Sequence, residues 1–143
     1  MRQLSTALLI TAVLAACSSS TSTSTDATLQ TSQTVSQREI GRAFEMKIGE
    51  TISVGELRLT FRSVAADSRC PIDAVCVWAG DGEIALRIEQ GNQAAVAALH
   101  TMLEPKKTEW NGYTIAFVSL APSRSASSSI DPADYRAQLL VTR

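Results

Sequence analysis

Hydrophobic and polar residues alternate with a period of two along much of the chain beyond Phe44. The alternation is clearest in residues 56–64, 83–89, 113–118 and 135–142. In the first of these stretches every second residue is apolar, namely Leu57, Leu59 and Phe61. A period of two places successive side chains on opposite faces of an extended chain. Each stretch therefore predicts a β-strand with one buried face.

Turn-forming residues separate these stretches. Gly91-Asn92 and Asn111-Gly112 fall between alternating segments, and Asn-Gly is a strong signal for a hairpin turn. Pro122 lacks the amide hydrogen that a sheet requires, so it ends the strand before it. Six to eight short strands joined in this way predict an all-β fold over residues 39–143. The architecture is either a small antiparallel β-sandwich or a partly open barrel.

One segment allows two interpretations. Residues 93–103 (QAAVAALHTML) are rich in Ala and Leu, and their intrinsic propensity favours a helix. The segment lies between two strongly alternating stretches, and no good helix-capping residue precedes it. We expect a strand here, with a helix as the alternative.

The first sixteen residues have the features of an export signal. Arg2 precedes an apolar run, residues 8–14, which ends in Leu-Ala-Ala-Cys at residues 14–17. A positive start, a short apolar run and small residues at the cleavage point are typical of a signal peptide. The run is shorter than the roughly 20 apolar residues that a membrane-spanning helix needs. Residues 1–16 are therefore predicted to be a cleaved signal peptide.

The Leu-Ala-Ala-Cys sequence resembles the lipobox of bacterial lipoproteins. This resemblance implies that Cys17 becomes the acylated N-terminus and anchors the protein to a membrane of the cell envelope. Ser18 implies the outer membrane, on its periplasmic face or at the surface, if the source has two membranes. The cysteine count agrees, because Cys70 and Cys76 are close enough to pair and Cys17 is left over. The alternative is an ordinary signal peptide followed by a structural cysteine.

Composition separates a linker from the domain and excludes some partners. Beyond Cys17, residues up to 38 are mostly Ser, Thr and Gln, and too few are apolar to form a core. Signal cleavage removes one of the 13 Lys and Arg (Arg2) and none of the 14 Asp and Glu, which leaves 12 against 14. A chain without a basic stripe lacks the electrostatic footprint of a nucleic-acid-binding protein. Nucleic acid is therefore not an expected partner.

The segment DSRCPIDAVCVWAG, residues 67–80, contains the most specific motif. Two cysteines with five residues between them in an exported chain predict a Cys70–Cys76 disulfide. The segment resembles the signature DSRCPxxxxCVWAG of an uncharacterised family of small exported bacterial proteins and lipoproteins. A looser similarity extends through Leu-Ala-Pro at 120–122 and Asp-Tyr at 134–135. The resemblance implies a β-rich domain with this disulfide, and it implies no catalytic residue.

Four residues of this motif are candidates for a binding loop: Asp67, Arg69, Asp73 and Trp78. In a structural interpretation Trp78 packs over the disulfide and Arg69 forms an ion pair with Asp67. In a functional interpretation the stapled loop presents these residues to a partner, because Trp and Arg are frequent energetic anchors of interfaces. A protease inhibitor or a module that binds an envelope protein would use its loop in this way.

Other chemistry has weak support in the sequence. His100 is the single histidine, and it has no evident nucleophile with which to form a catalytic set. His100 and Met102 could bind copper(I), and Asp67, Asp73 and Asp81 could bind calcium. Cysteines with five residues between them do not form the tight loop that is typical of thiol redox sites. We therefore expect a non-enzymatic binding or structural module with no cofactor and no metal; the alternative is a metal-handling protein or an unrecognised enzyme that uses His100.

Overall fold

The computed structural model describes residues 35–143. The predicted signal peptide, Cys17 and most of the predicted linker lie outside these residues. The described part contains nine strands and one short 3-10 turn at Pro132–Asp134. The strands are β1 Ser36–Arg38, β2 Ala43–Lys47, β3 Thr51–Val54, β4 Leu57–Asp67, β5 Gly82–Gln90, β6 Gln93–His100, β7 Lys107–Trp110, β8 Tyr113–Ala121 and β9 Arg136–Thr142.

The strands form two sheets. The five-stranded sheet has the order β1-β3-β4-β5-β6, and the four-stranded sheet has the order β2-β9-β8-β7. All pairs are antiparallel except β1 with β3. The two sheets share one hydrophobic core and do not join into a closed barrel. The predicted all-β fold is confirmed, and its architecture is a β-sandwich.

Alternating side chains from both sheets fill the core. The predicted inward rows are buried: Leu57, Leu59 and Phe61 on β4; Ile84, Leu86 and Ile88 on β5; Tyr113, Ile115 and Phe117 on β8. The residues between them are polar or partly exposed along β4 and β5. Burying one large apolar side chain contributes roughly 1.5–3 kcal/mol of favourable free energy, and this gain drives the two sheets together along these rows.

The ambiguous segment is extended, as expected. Residues 93–100 form β6, which pairs with β5 over its whole length, and the chain turns after His100. Pro122 follows the last residue of β8, which agrees with its predicted role. The short strand β7 was not predicted.

The described sheet begins at Ser36, inside the stretch that the sequence assigns to the linker. The polar strand β1 pairs in parallel with β3 through Ser36 and Ile52, and through Arg38 and Val54. Its side chains are half-buried or exposed. Backbone pairing of this kind leaves no hydrophobic pattern, which is why the sequence did not predict it.

Candidate functional site

The motif forms the connection between β4 and β5, and backbone contacts close its base. The Ser68 amide donates a hydrogen bond to the Asp81 carbonyl at 2.7 Å. The Ser68 hydroxyl donates to the same carbonyl and accepts from the Asp81 amide, both at 3.1 Å. Further along, the Cys70 amide donates to the Ala79 carbonyl at 2.9 Å. The two arms of the loop are therefore held together before the disulfide is reached.

Gly80 is required where the two arms meet. Its φ is +69°, a conformation that residues with a side chain rarely adopt. A Cβ atom at this position would lie 1.8 Å from the Ser68 carbonyl oxygen. The last residue of the motif is therefore fixed by the close approach of two backbone segments.

The predicted disulfide is present. Cys70 and Cys76 are bonded, with their Cα atoms 6.0 Å apart. Inside the closed loop, the Ala74 amide donates to the Pro71 carbonyl at 3.2 Å. The five residues between the two cysteines are thus constrained both by the covalent bond and by a hydrogen-bonded turn.

Asp67 and Arg69 form the predicted ion pair, and it is shielded from solvent. The Arg69 Nη2 and Nε atoms lie 2.7 and 2.8 Å from the two Asp67 carboxylate oxygens. The side chains of Arg69 and Asp67 are only 15% and 7% exposed. A two-point contact between a guanidinium and a carboxylate is both strong and geometrically specific. This pair therefore acts within the domain and not as an exposed contact.

The pair connects the two sheets. Asp67 ends β4 in one sheet, while Arg69 donates to the carbonyls of Leu120, which lies in β8 of the other sheet, and of Pro122 at 2.9 Å. The Tyr135 hydroxyl donates to Asp67 at 2.9 Å. Leu120, Pro122 and Tyr135 thus meet the motif at this point.

Electrostatics agree with this geometry. Burial raises the pKa of the Asp67 carboxyl, but the hydrogen bonds from Arg69 and Tyr135 and the Arg69 charge outweigh burial, and the pKa lies below its ordinary value. Burial and the neighbouring Asp67 raise the pKa of the Tyr135 hydroxyl. The network is therefore most stable with Asp67 ionised and Tyr135 protonated.

A second loop supports the outer part of the motif. Asp73 accepts hydrogen bonds from the Ala126 amide at 2.7 Å and from the Ser125 hydroxyl at 2.8 Å, and these bonds lower the pKa of its carboxyl. The Ile72 amide donates to the Arg124 carbonyl, and Arg124 donates in turn to the Arg69 carbonyl, both at 3.0 Å. Asp73 therefore fixes the position of the stapled loop against residues 124–126.

Large apolar side chains project from the stapled loop into solvent. Four of the nine exposed large hydrophobic residues between 35 and 143 fall within residues 72–78, and they are 78% to 104% exposed. They are Ile72, Val75, Val77 and Trp78. The expectation that Trp78 packs over the disulfide is wrong, since the indole is 83% exposed. We call these four side chains the apolar tip.

The structure therefore separates the four candidate binding residues. Asp67 and Arg69 connect the sheets, Asp73 holds the loop in place, and Trp78 faces solvent. The sequence analysis missed the other three members of the apolar tip. A signal for them was present, because three aliphatic residues stand near the half-cystines in a segment that has no strand periodicity.

His100 pairs with a single carboxylate. Its Nδ1 atom lies 2.6 Å from Asp81, whose other carboxylate oxygen accepts from the Met102 amide at 2.8 Å and from the Thr101 hydroxyl at 3.1 Å. Burial raises the pKa of Asp81, but hydrogen bonds from Met102, His100, Leu103 and Thr101 bring it to about 2. Asp81 therefore braces the turn after β6 and orients the imidazole at the same time.

The carboxylates considered for calcium have separate partners. Asp67 is engaged by Arg69 and Tyr135, Asp73 by residues 125–126, and Asp81 by the turn after β6. Within the part of the chain that the structure describes, no three His, Cys, Asp or Glu side chains are placed to hold a metal ion.

Comparison of the chain with family models, with curated proteins and with solved structures found no match. Between residues 35 and 143 there is no helix long and apolar enough to cross a membrane.

Proposed function

We propose that the protein is a lipoprotein of the cell envelope whose β domain is a non-enzymatic binding module. Cys17 carries the lipid, and the domain recognises an envelope protein through the apolar tip. The lipobox-like sequence supports the anchor, as does the cysteine count, because the Cys70–Cys76 bond uses two of the three cysteines. The exposure of the apolar tip on a rigid base supports the binding role.

The apolar tip is the observation on which this proposal depends. Exposed apolar residues scattered singly are ordinary, whereas a cluster of them marks a surface that another molecule covers. Trp is among the residues that contribute most to interface energies, and aliphatic neighbours exclude water around it. Four such side chains within seven residues are suited to form the centre of an interface.

The base of the loop adds a second argument. The disulfide and the hydrogen bonds of Ser68, Cys70 and Asp73 hold the loop in place before any partner binds. A preformed loop loses little conformational entropy on association, so more of the contact energy appears as affinity. Asp67 and Arg69 serve binding indirectly, because they hold the loop on the sandwich.

A paired substitution tests the binding role. The lipidated protein is captured from solubilised envelopes together with the proteins bound to it. Three forms are compared: the wild type, Trp78→Ala and Val118→Ala. Val118 is an exposed valine on β8 and therefore serves as the control. Loss of an interface anchor costs about 2 kcal/mol or more, so we expect Trp78→Ala to weaken the affinity for a specific protein roughly 30-fold and to reduce its recovery. Equal recovery with Trp78→Ala and Val118→Ala would show that the apolar tip is not the binding surface.

The lipid anchor has its own test. Cells that produce the wild-type chain or the Cys17→Ser chain are labelled with a fatty-acid analogue, and incorporation into the protein is compared. We expect labelling in the wild type alone, with release of the variant from the membrane or a block in its maturation. Equal labelling of the two chains would refute the assignment of Cys17.

A further inference from the structure

Each sheet of a sandwich has two edge strands whose outer backbone groups are open to another strand. Among the described residues the four edges are β1, β2, β6 and β7. Three of them have features that discourage pairing with another molecule: β1 has three residues and ends in Arg38, while β2 and β7 are short and charged. Charges and short length are the usual means by which proteins block edge pairing.

The remaining edge strand, β6, lacks such protection along residues 93–99; at its end the His100 amide already donates to the Pro105 carbonyl at 3.0 Å. It has eight residues, and from Gln93 to Leu99 none is charged and none is proline. Its pairing with β5 runs without a bulge from Glu83 and His100 to Gln90 and Gln93. A long, regular and apolar edge is the kind that accepts another strand.

The outward face of β6 is also suited to a close approach. Ala95, Ala97 and Leu99 lie opposite core residues of β5, so Ala94, Val96 and Ala98 are on the other face. On β5, Arg87 and Glu89 are opposite Val96 and Ala94, and they pair with one another at 2.9 Å. The neighbouring strand therefore presents a neutralised pair of charges to an approaching chain.

The sequence of β6 indicates which strand fits. Residues 94–98 read Ala-Ala-Val-Ala-Ala, which is the same in both directions. In an antiparallel pair, residues directly opposite each other point to the same face. Two copies of β6 related by a two-fold axis at Val96 place Ala95 opposite Ala97 and Ala94 opposite Ala98, with only small side chains in contact. A two-fold interface requires a surface that is complementary to itself, and β6 meets this requirement.

We propose that β6 pairs with β6 of a second copy of this chain, antiparallel and centred on Val96. The pairing joins the two five-stranded sheets into one continuous sheet and satisfies the outward backbone groups of residues 94–98 on both edges. The paired strands include no residue of the apolar tip, which belongs to the connection between β4 and β5.

A cysteine at the axis tests this arrangement. Opposite residues of an antiparallel pair have Cα atoms about 4.5–5.5 Å apart, which is within the range that a disulfide spans. The full chain with Val96→Cys is produced in cells that export it, the intact cells are treated with copper phenanthroline, and dimers are measured on a non-reducing gel. Val118→Cys is the matched control, because Val96 and Val118 are 56% and 51% exposed while β8 lies inside its sheet. The unsubstituted chain sets the background.

We expect a dimer yield above background for Val96→Cys and a yield at background for Val118→Cys. No dimer with Val96→Cys, or equal yields from the two variants, would overturn the proposal. The first result would show that the edges do not meet, and the second would show random collision.

Charge variants then test the register. In the Val96→Cys chain, Ala94→Lys with Ala98→Lys places like charges opposite each other across the axis, whereas Ala94→Lys with Ala98→Glu places opposite charges there. Like charges directly across strands destabilise a pair and opposite charges stabilise it. We expect the Lys and Glu chain to give a dimer yield at least about fivefold higher than the chain with two lysines. Equal yields would refute the register centred on Val96.

Discussion

Replacement of Arg69 by alanine should destabilise the domain strongly, because this side chain connects the two sheets. The substitution removes the contact with Asp67 and leaves the carbonyls of Leu120 and Pro122 without their donor. Asp67 keeps the Tyr135 hydroxyl and a backbone amide as partners. A nearly buried carboxylate is therefore left without its cation.

The size of the effect follows from the burial of the pair. Removal of one partner of a buried ion pair costs about 3–5 kcal/mol. Since the Arg69 side chain retains 15% exposure, we expect the lower end, about 3 kcal/mol. This is a large share of the roughly 5–15 kcal/mol that stabilises a typical domain. At about 4–8 °C per kcal/mol for a domain of this size, the melting temperature should fall by roughly 12–24 °C.

Thermal and urea melts followed by circular dichroism measure this loss. Arg69→Lys should be intermediate, because an ammonium keeps the charge but cannot make the two-point contact with Asp67. Trp78→Ala is the control on the same loop: its indole is 83% exposed, so its melting temperature should change by less than about 4 °C. If Arg69→Ala melted as close to wild type as Trp78→Ala does, the ion pair would not connect the sheets.

Three further predictions concern the same region. Gly80→Ala should cost about 3 kcal/mol or more of unfolding free energy, because its Cβ would meet the Ser68 carbonyl. Gly91→Ala, at a φ of +56° with open space around it, should cost about 1 kcal/mol. Similar losses for the two variants in urea melts would refute the close approach of Gly80 to Ser68. Replacing both Cys70 and Cys76 by serine should lower the free energy of unfolding by roughly 2–2.5 kcal/mol, since the bond closes a loop of about seven residues. Circular dichroism should still show the β fold, and loss of the β signal would contradict the prediction. Asp81 has an ordinary pKa of 3.8 and a folded pKa of about 2, so its ionised carboxylate should contribute about 2 kcal/mol to the free energy of unfolding. This contribution is present above pH 4 and is lost as the pH falls to 2. Urea melts of wild type and Asp81→Asn should therefore converge over that range, and a constant difference would argue against the prediction.

The sequence predicted the fold wherever one face of a strand contacts the core. Leu57, Leu59 and Phe61 alternate with polar residues because the pleat places every second side chain inward. The same logic could not find β1, which is held by backbone bonds and has no buried row. It left residues 93–103 ambiguous because small Ala residues at an edge need not alternate with polar ones.

The candidate site was only partly predictable. The disulfide and the ion pair of Asp67 with Arg69 are local contacts, and spacing alone indicated both. The carbonyls of Leu120 and Pro122 that also hold Arg69 are more than 50 residues away. The sequence does not show which distant backbone atoms meet a side chain, so it could not distinguish an interface residue from a structural one.

The geometry of the motif separates residues that make contacts inside the domain from residues that face solvent. Asp67, Arg69 and Gly80 are explained by contacts inside the domain, and their chemistry needs no external molecule. No internal contact of that kind explains Trp78, which is 83% exposed and stands beside Val77, which is 90% exposed. A loop that served only to connect β4 and β5 would be as stable with polar residues at those positions and would carry less risk of aggregation. The contacts that hold the loop in place therefore also keep apolar side chains in solvent, and the proposed binding role would give that arrangement a physical reason.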